Sequence, residues 1–325
     1  MDEYYSVIIP FHGKRESLEM ALSSLESTNY SKKEIILVND GSGYDLSSIA
    51  EKFRCKLINI PERRGPSFAR NRGVEVAHFE NLVFLDSDVV VPKDCFVKIN
   101  NFLHHNPSIS VVNCWVSSHI PYSNFFSQYL NLLYKHSILV GGEKTIYTSF
   151  CVVKAGWFSK VEGFDESVPR QYADDMILGW KLYDQAAKFA LLKEVEVGHY
   201  KKMTFIPSVL YWFFHGYYWG KYSVIYRKRL KTQKLFHRKE GILTIIAIFL
   251  FLFVTYFGRY NLFVNVLIFL CLFLGINFNF LKFIGRKTNI LFTFKSVWII
   301  ILQHLVYLFS GISGILNGLL TRRKV

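Results

Sequence analysis

The stretch FLDSDVVVP, residues 84–92, sets two carboxylates one residue apart, Asp86 and Asp88, directly after the apolar run Leu82, Val83, Phe84 and Leu85. That run has the length of a buried strand. Charged side chains are rarely carried to such a place unless they are paired or hold a metal ion. Read alone, DSD fits either an acidic turn or a cation site, and the surrounding sequence has to decide between them.

Outward from this strand, apolar runs alternate with helix-like segments up to about His199, which predicts a mainly parallel sheet with helices on both faces. Residues 5–10 (YSVIIP), 34–39 (EIILVN), 56–60 (KLINI) and 82–85 (LVFL) read as strands. Residues 110–116 and 146–153 read as later ones, as does 190–197, for which a helix is the alternative. Residues 16–27, 46–53 and 67–77 carry apolar side chains at helical spacing. The acidic residues fall at strand ends and turns, where open α/β sheets place their ligand sites. Asp40 ends the second strand and opens Asp40-Gly41-Ser42, and the pair Asp174-Asp175 stands at the start of a helix-like segment, YADDMILGWKL.

A chain of 325 residues can hold one large domain and an appendage. Its formal charge is +14, and the positive residues crowd into RKRLKTQKLFHRKE, residues 227–240, just before a long apolar run. That is where a membrane-surface patch lies. No RNP motif, zinc-finger spacing or helix-turn-helix signal accompanies the charge, so nucleic acid is not indicated as a partner. The five cysteines are scattered singly without a CxxC, which argues against both a zinc site and a disulfide framework. The opening MDEYYSVIIPF is acidic before a short apolar run, unlike a secretory signal.

Beyond His199 the composition changes. Apolar runs at about 242–258, 262–281 and 297–320 approach or reach the ~20 residues that span a bilayer. Residues 1–200 are thus expected to form the α/β domain, 201–240 an interfacial and basic juxtamembrane segment, and 241–325 a transmembrane region. Residues 205–226, dense in Tyr and Trp, read as an interfacial helix. The preference of Lys and Arg for the cytosolic side puts 227–239 and 282–295 inside. Three full crossings would then leave the terminal TRRKV outside. The third run contains Gln303, His304 and the glycine-rich SGISG, so it is expected to be broken or re-entrant.

Taken in order, SVIIPFHGKRESLEMALSSL, IILVNDGS, GPSFARNRGVEVA, VFLDSDVVV, GFDE and ADDMILGWKL resemble the family 2 glycosyltransferases, which have the GT-A fold. The resemblance covers roughly residues 6–199. It implies sugar transfer from a nucleotide-sugar donor, with Asp88 on a divalent metal, Mn2+ or Mg2+, and Asp86 near the ribose. It also implies that Asp40 contacts the base, that Pro10 borders the same pocket, and that Arg70 lies on the nucleotide side. His199, in VGHYKK, falls where several such enzymes place a metal-ligating His.

The chemistry agrees with these assignments. A leaving diphosphate gains negative charge as the glycosidic bond breaks, and a cation neutralises it. The attacking hydroxyl needs a base, a role the resemblance gives to Asp175 with Asp174 beside it. One base opposite the leaving group implies direct displacement with inversion. The QxxRW motif of processive relatives is missing after Asp175, so a non-processive, membrane-anchored enzyme is expected. The reading is an inverting transferase moving one sugar, UDP-linked, to a lipid-linked or other membrane-associated acceptor, with the catalytic domain on the cytosolic face of a bacterial cytoplasmic membrane. The alternatives are a polyprenyl-phosphate sugar synthase and a catalytically inactive membrane scaffold of the same fold.

Overall fold

The computed structural model describes residues 3–141, 145–168, 172–226, 239–258 and 261–322. The basic stretch 227–238 and the tail 323–325, on which two of the topology expectations rest, lie outside these residues. The chain divides into two compact units, one of residues 1–123 with 133–202 and one of residues 124–132 with 203–325.

The first unit is built on strands β1 (Tyr5–Phe11), β2 (Lys33–Asp40), β3 (Lys56–Ile60), β4 (Asn81–Leu85), β5 (Val89–Val90), β6 (Val111–Val116), β7 (Phe150–Lys154) and β8 (Phe189–His199). They lie in the order β3-β2-β1-β4-β7-β6-β8-β5. Interleaved are helices α1 (Arg15–Glu26), α2 (Ser47–Lys52), α3 (Pro66–Glu75), α4 (Cys95–His105), α5 (Phe125–Gly141), α6 (Ala155–Lys160) and α7 (Asp174–Asp184). Helix α5 straddles the division between the units, its residues from 133 onward belonging to the first.

Alternation along the strands explains the two cores. Val7, Ile9, Leu37, Val83 and Leu85 face one layer, with Leu18 and Leu22 of α1 and Phe96 and Ile99 of α4. Ile8, Ile36, Val38, Leu82 and Phe84 face the other, with Ala69 of α3, Phe158 of α6 and Leu178 of α7. Each fully buried side chain of this size stabilises the fold by about 1.5–3 kcal/mol. Gly73 of α3 packs directly on β1, since a methyl group there would overlap Ile8. The helix therefore lies close enough to the sheet to carry its polar residues to the strand ends.

The sheet is mainly parallel, as expected, with antiparallel pairs that the sequence pattern does not announce. Strands β3, β2, β1 and β4 are parallel, but β7 runs antiparallel to both β4 and β6. Strands buried on both faces read as continuous apolar runs in either direction, so the reversal leaves no mark in the pattern. Because β2 and β4 lie on opposite sides of β1, the strand order reverses there, and Asp40 and Asp86 come to the carboxyl ends of the strands beside that point.

The second unit holds the first nine residues assigned to it, 124–132, and the helices α8 (Phe205–Ile225), α9 (Lys239–Phe257), α10 (Leu262–Ile276), α11 (Phe278–Lys287) and α12 (Ile290–Arg322). The expected break in the third apolar run is absent: α12 is one continuous helix. Its glycines serve close packing instead. A methyl group on Gly314 would overlap the Tyr217 carbonyl, and one on Gly220 the Gly311 carbonyl. Two GxxxG stretches, 216–220 and 314–318, thus let the backbones of α8 and α12 touch, as small residues do between apolar helices. Gln303 is also satisfied: Tyr129 donates to its Oε1 at 2.7 Å, and its Nε2 donates to Tyr307 at 3.1 Å.

The break lies in the second run, where α10 and α11 meet at 69°. There the Asn277 amide donates to Thr244 Oγ1 and to the Phe273 carbonyl, both at 3.0 Å. Among the described helices, residues 290–321 of α12 are long and apolar enough to cross a bilayer, and α10 with α11 pass the same test if taken as one bent span. Phe249, Phe253, Phe263, Trp298 and Phe309 are exposed on the faces of these helices. Gly314→Val in the purified full chain is expected to lower the thermal midpoint by forcing α8 and α12 apart, a strain of about 1–3 kcal/mol or more. Gly275→Ala, where a methyl group would meet nothing within 4 Å, serves as the control and should leave the midpoint in place.

Candidate active site

The DSD segment is a turn whose backbone bonds aim its side chains. The Val89 amide donates to the Asp86 carbonyl at 3.1 Å, the Asp86 amide to the Ser149 carbonyl at 3.1 Å, and the Tyr200 amide to the Asp88 carbonyl at 2.8 Å. Strand β5 then pairs with the end of β8, setting Val89 opposite His199. A two-residue ladder therefore delivers His199 to the carboxylates from the far end of the unit's sequence. Its Nε2 lies 3.3 Å from Asp88 Oδ1.

One ligand atom each from Asp86, Asp88 and His199 can be chosen so that all three lie within 4.8 Å of one another, and all three residues are half-buried. This donor set fits a divalent cation. Carboxylate oxygens suit Mg2+ and Mn2+ alike, whereas the imidazole nitrogen favours Mn2+ over the harder Mg2+. Asp86, assigned from sequence to the ribose side, thus stands in the same cluster as Asp88.

The electrostatics separate the two carboxyls. Burial raises the Asp86 pKa above the usual carboxylate range; Arg70 opposes this and the charge of Asp88 adds to it. For Asp88 burial is again the largest single influence and acts in the same direction, but His199 and, after it, Lys201 together hold the carboxyl below its ordinary value. Burial is the largest influence on His199 and disfavours its charged form, yet Asp88 and, after it, Asp86 together raise the imidazole pKa.

Helix α3 carries the motif ARNRG, and the structure gives each residue a partner. Ala69 enters the core, and Arg70 donates from Nη2 to Asp86 Oδ1 at 2.7 Å and from Nη1 to Asp174 Oδ2 at 2.6 Å. Asn71 holds Phe164 of the GFDE segment at both its amide and its carbonyl, each at 3.0 Å. Arg72 reaches Glu166 at 3.2 Å. Arg70, expected on the nucleotide side, is therefore committed to two protein carboxylates.

Asp174 and Asp175 open α7. Asp174 is buried against Arg70, while Asp175 is half-buried and accepts from the Met176 amide at 2.7 Å. Burial, and after it the neighbouring Asp174, push the Asp175 carboxyl up to about 7. A carboxylate of that basicity can take a proton near neutral pH.

Asp40 is held separately. Its Oδ1 accepts from the Arg64 amide at 2.7 Å and its Oδ2 from the Gly65 amide at 2.9 Å, so the carboxylate clamps the loop ahead of α3. Pro10 is half-buried in β1 opposite Val38. Tyr134 of α5 was not singled out from the sequence. Its ring meets His199 edge-on at 5.6 Å, its hydroxyl lies 3.1 Å from Ser149 Oγ, and burial followed by the charge of Asp175 raises its pKa. A tyrosine in an apolar helix carries no local signal of such a place.

A sequence model described as glycosyl transferase family 2 matches residues 6–161. Among curated proteins, the poly-beta-1,6-N-acetyl-D-glucosamine synthase of Staphylococcus aureus (strain COL) is 30% identical over 115 residues, 34% of this chain and 28% of that protein. The synthase of Staphylococcus epidermidis is 26% identical over 194 residues, 56% of this chain and 46% of its own. The matched stretches thus span less than half of either relative.

Among solved structures, the mannosyltransferase PcManGT from Pyrobaculum calidifontis, in complex with GDP-Man and Mn2+, aligns with a TM-score of 0.69 at 14% identity, covering 98% of this chain and 88% of that one. The 1–349 segment of S. aureus TarS, in complex with UDP-GlcNAc, aligns at 0.55 and 18% identity, covering 97% and 89%. Such identities speak for the fold, and the sequence match speaks for descent. Residues 6–161 thus carry a glycosyl transferase family 2 domain, in a chain whose fold is the GT-A fold of these neighbours.

Proposed function

We propose that the chain is an inverting, metal-dependent glycosyltransferase that moves one sugar from a UDP-linked donor to an acceptor held at the membrane. The observation that carries this reading is the arrangement of two carboxylate groups, Asp86 with Asp88 and Asp174 with Asp175, joined through Arg70. UDP is favoured because the relatives matched by sequence make an N-acetylglucosamine polymer and the TarS segment is bound to UDP-GlcNAc. The apolar helices with exposed aromatic faces support a membrane-associated acceptor, a lipid-linked saccharide, in polysaccharide or glycoconjugate synthesis.

In the reaction, Asp175 accepts the proton of the acceptor hydroxyl as its oxygen bonds to the anomeric carbon. The bond from that carbon to the diphosphate oxygen breaks, and its electron pair leaves with the nucleoside diphosphate. Attack on the face opposite the leaving group inverts the centre. Asp86, Asp88 and His199 would hold a divalent cation, which supplies Lewis-acid neutralisation of the diphosphate charge. Arg70 and His199 offset part of the carboxylate charge that would otherwise repel the donor.

The test is a panel of nucleotide sugars offered to the full chain in membranes, with products read by mass spectrometry. Mn2+-stimulated release of UDP from one of them is expected. No metal-stimulated turnover of any donor would overturn the reading in favour of an inactive scaffold.

A further inference from the structure

Arg70 stands where three elements meet. It lies within α3 and is 2% exposed, and its two terminal nitrogens go to carboxylates on different elements. Nη2 reaches Asp86 at the end of β4, and Nη1 reaches Asp174, the first residue of α7. The Phe164 ring lies 5.4 Å from the guanidinium, and Asn71 fixes the Phe164 backbone from the next position along the helix. The remaining nitrogen, Nε, is buried and has no hydrogen-bond partner among the described residues. A planar, rigid fork with both ends bonded sets the separation of the groups it bridges. One end is on the donor-side turn, and the other is bonded to the immediate neighbour of Asp175.

We infer that Arg70 is a positioning residue: it ties the DSD turn to the first turn of α7 and so fixes where the Asp175 carboxylate stands relative to the Asp86, Asp88 and His199 cluster. It does this in place of holding the nucleotide. The inference rests on the transferase reading of the site, where a misplaced base of even about 1 Å costs roughly 10²-fold in rate.

The test compares Arg70→Met, Arg70→Lys, Asp174→Asn and the double variant Arg70→Met/Asp174→Asn. Arg70→Met is expected to lower kcat by about 10²-fold with the donor KM within about threefold of wild type. Arg70→Lys should regain part of the loss, since an ammonium can serve one carboxylate well but not both in the same plane. The double variant should be no slower than the worse single one, because both changes cut the same link.

A donor KM raised about tenfold with kcat preserved would overturn the inference in favour of a nucleotide contact. Losses that multiply in the double variant would also overturn it. The four proteins are also compared by thermal midpoint without any donor. There the double variant should fall by less than the sum of the single drops, and an additive cycle refutes the link. Absence of turnover in wild type instead refutes the transferase reading, so the two failures are told apart.

Discussion

Asp175→Asn is expected to lower sugar transfer by about 10²–10⁴-fold, the usual contribution of a positioned base. Donor binding should stay near wild type. The amide fills the same space as the carboxyl and can still accept from the Met176 amide, but it cannot take the acceptor's proton. The pH profile provides a second check. With the Asp175 carboxyl raised to about 7, the group is protonated and idle below that value. The rate in wild type should therefore rise with pH by about tenfold per unit up to roughly neutrality and then level off. In Asp175→Asn this limb should vanish. Transfer retained by the variant with the limb intact would remove Asp175 from the role.

Asp88→Asn is expected to act through the other half of the site. Loss of a cation's support for the leaving diphosphate, worth several kcal/mol, corresponds to about 10³-fold in turnover. The variant should also bind Mn2+ alone more weakly, read by electron paramagnetic resonance without any sugar donor present. Raised Mn2+ should restore part of the activity of Asp88→Asn and none of that of Asp175→Asn. Wild-type Mn2+ affinity in Asp88→Asn would exclude this residue as a ligand.

Much of the first unit was legible because its signals are local. Strands β1 to β4 and helices α1 to α3 lie within one or two residues of their expected bounds, as apolar runs and helical spacing predict. Asp86 and Asp88 could be found because they follow such a run. What escaped depends on contacts between distant residues. The direction of β7, the two-residue strand β5 and the place of Tyr134 are set by pairing and packing that no short window contains.

The same limit governed Arg70. Its type and motif were evident, but that it bridges Asp86 and Asp174 follows only from how α3, β4 and α7 assemble. In the second unit Gln303, His304 and the glycines of SGISG predict a broken third run, since polar residues and glycine weaken an apolar helix. Packed against a second glycine stretch at 216–220, the glycines let the two helix backbones touch within a continuous α12.

The pairing of β5 with β8 has a consequence for how the protein comes into being. The stretch matched by the family model ends at residue 161, ahead of Asp175 and His199. A nascent chain that has emerged only that far holds the DSD turn but lacks His199 and Asp175. Strand β8 must leave the ribosome and dock before Asp86, Asp88 and His199 can cluster. On the proposed reading, cation capture would wait until the unit is nearly finished, and a product truncated before β8 is expected to be inert toward nucleotide sugars.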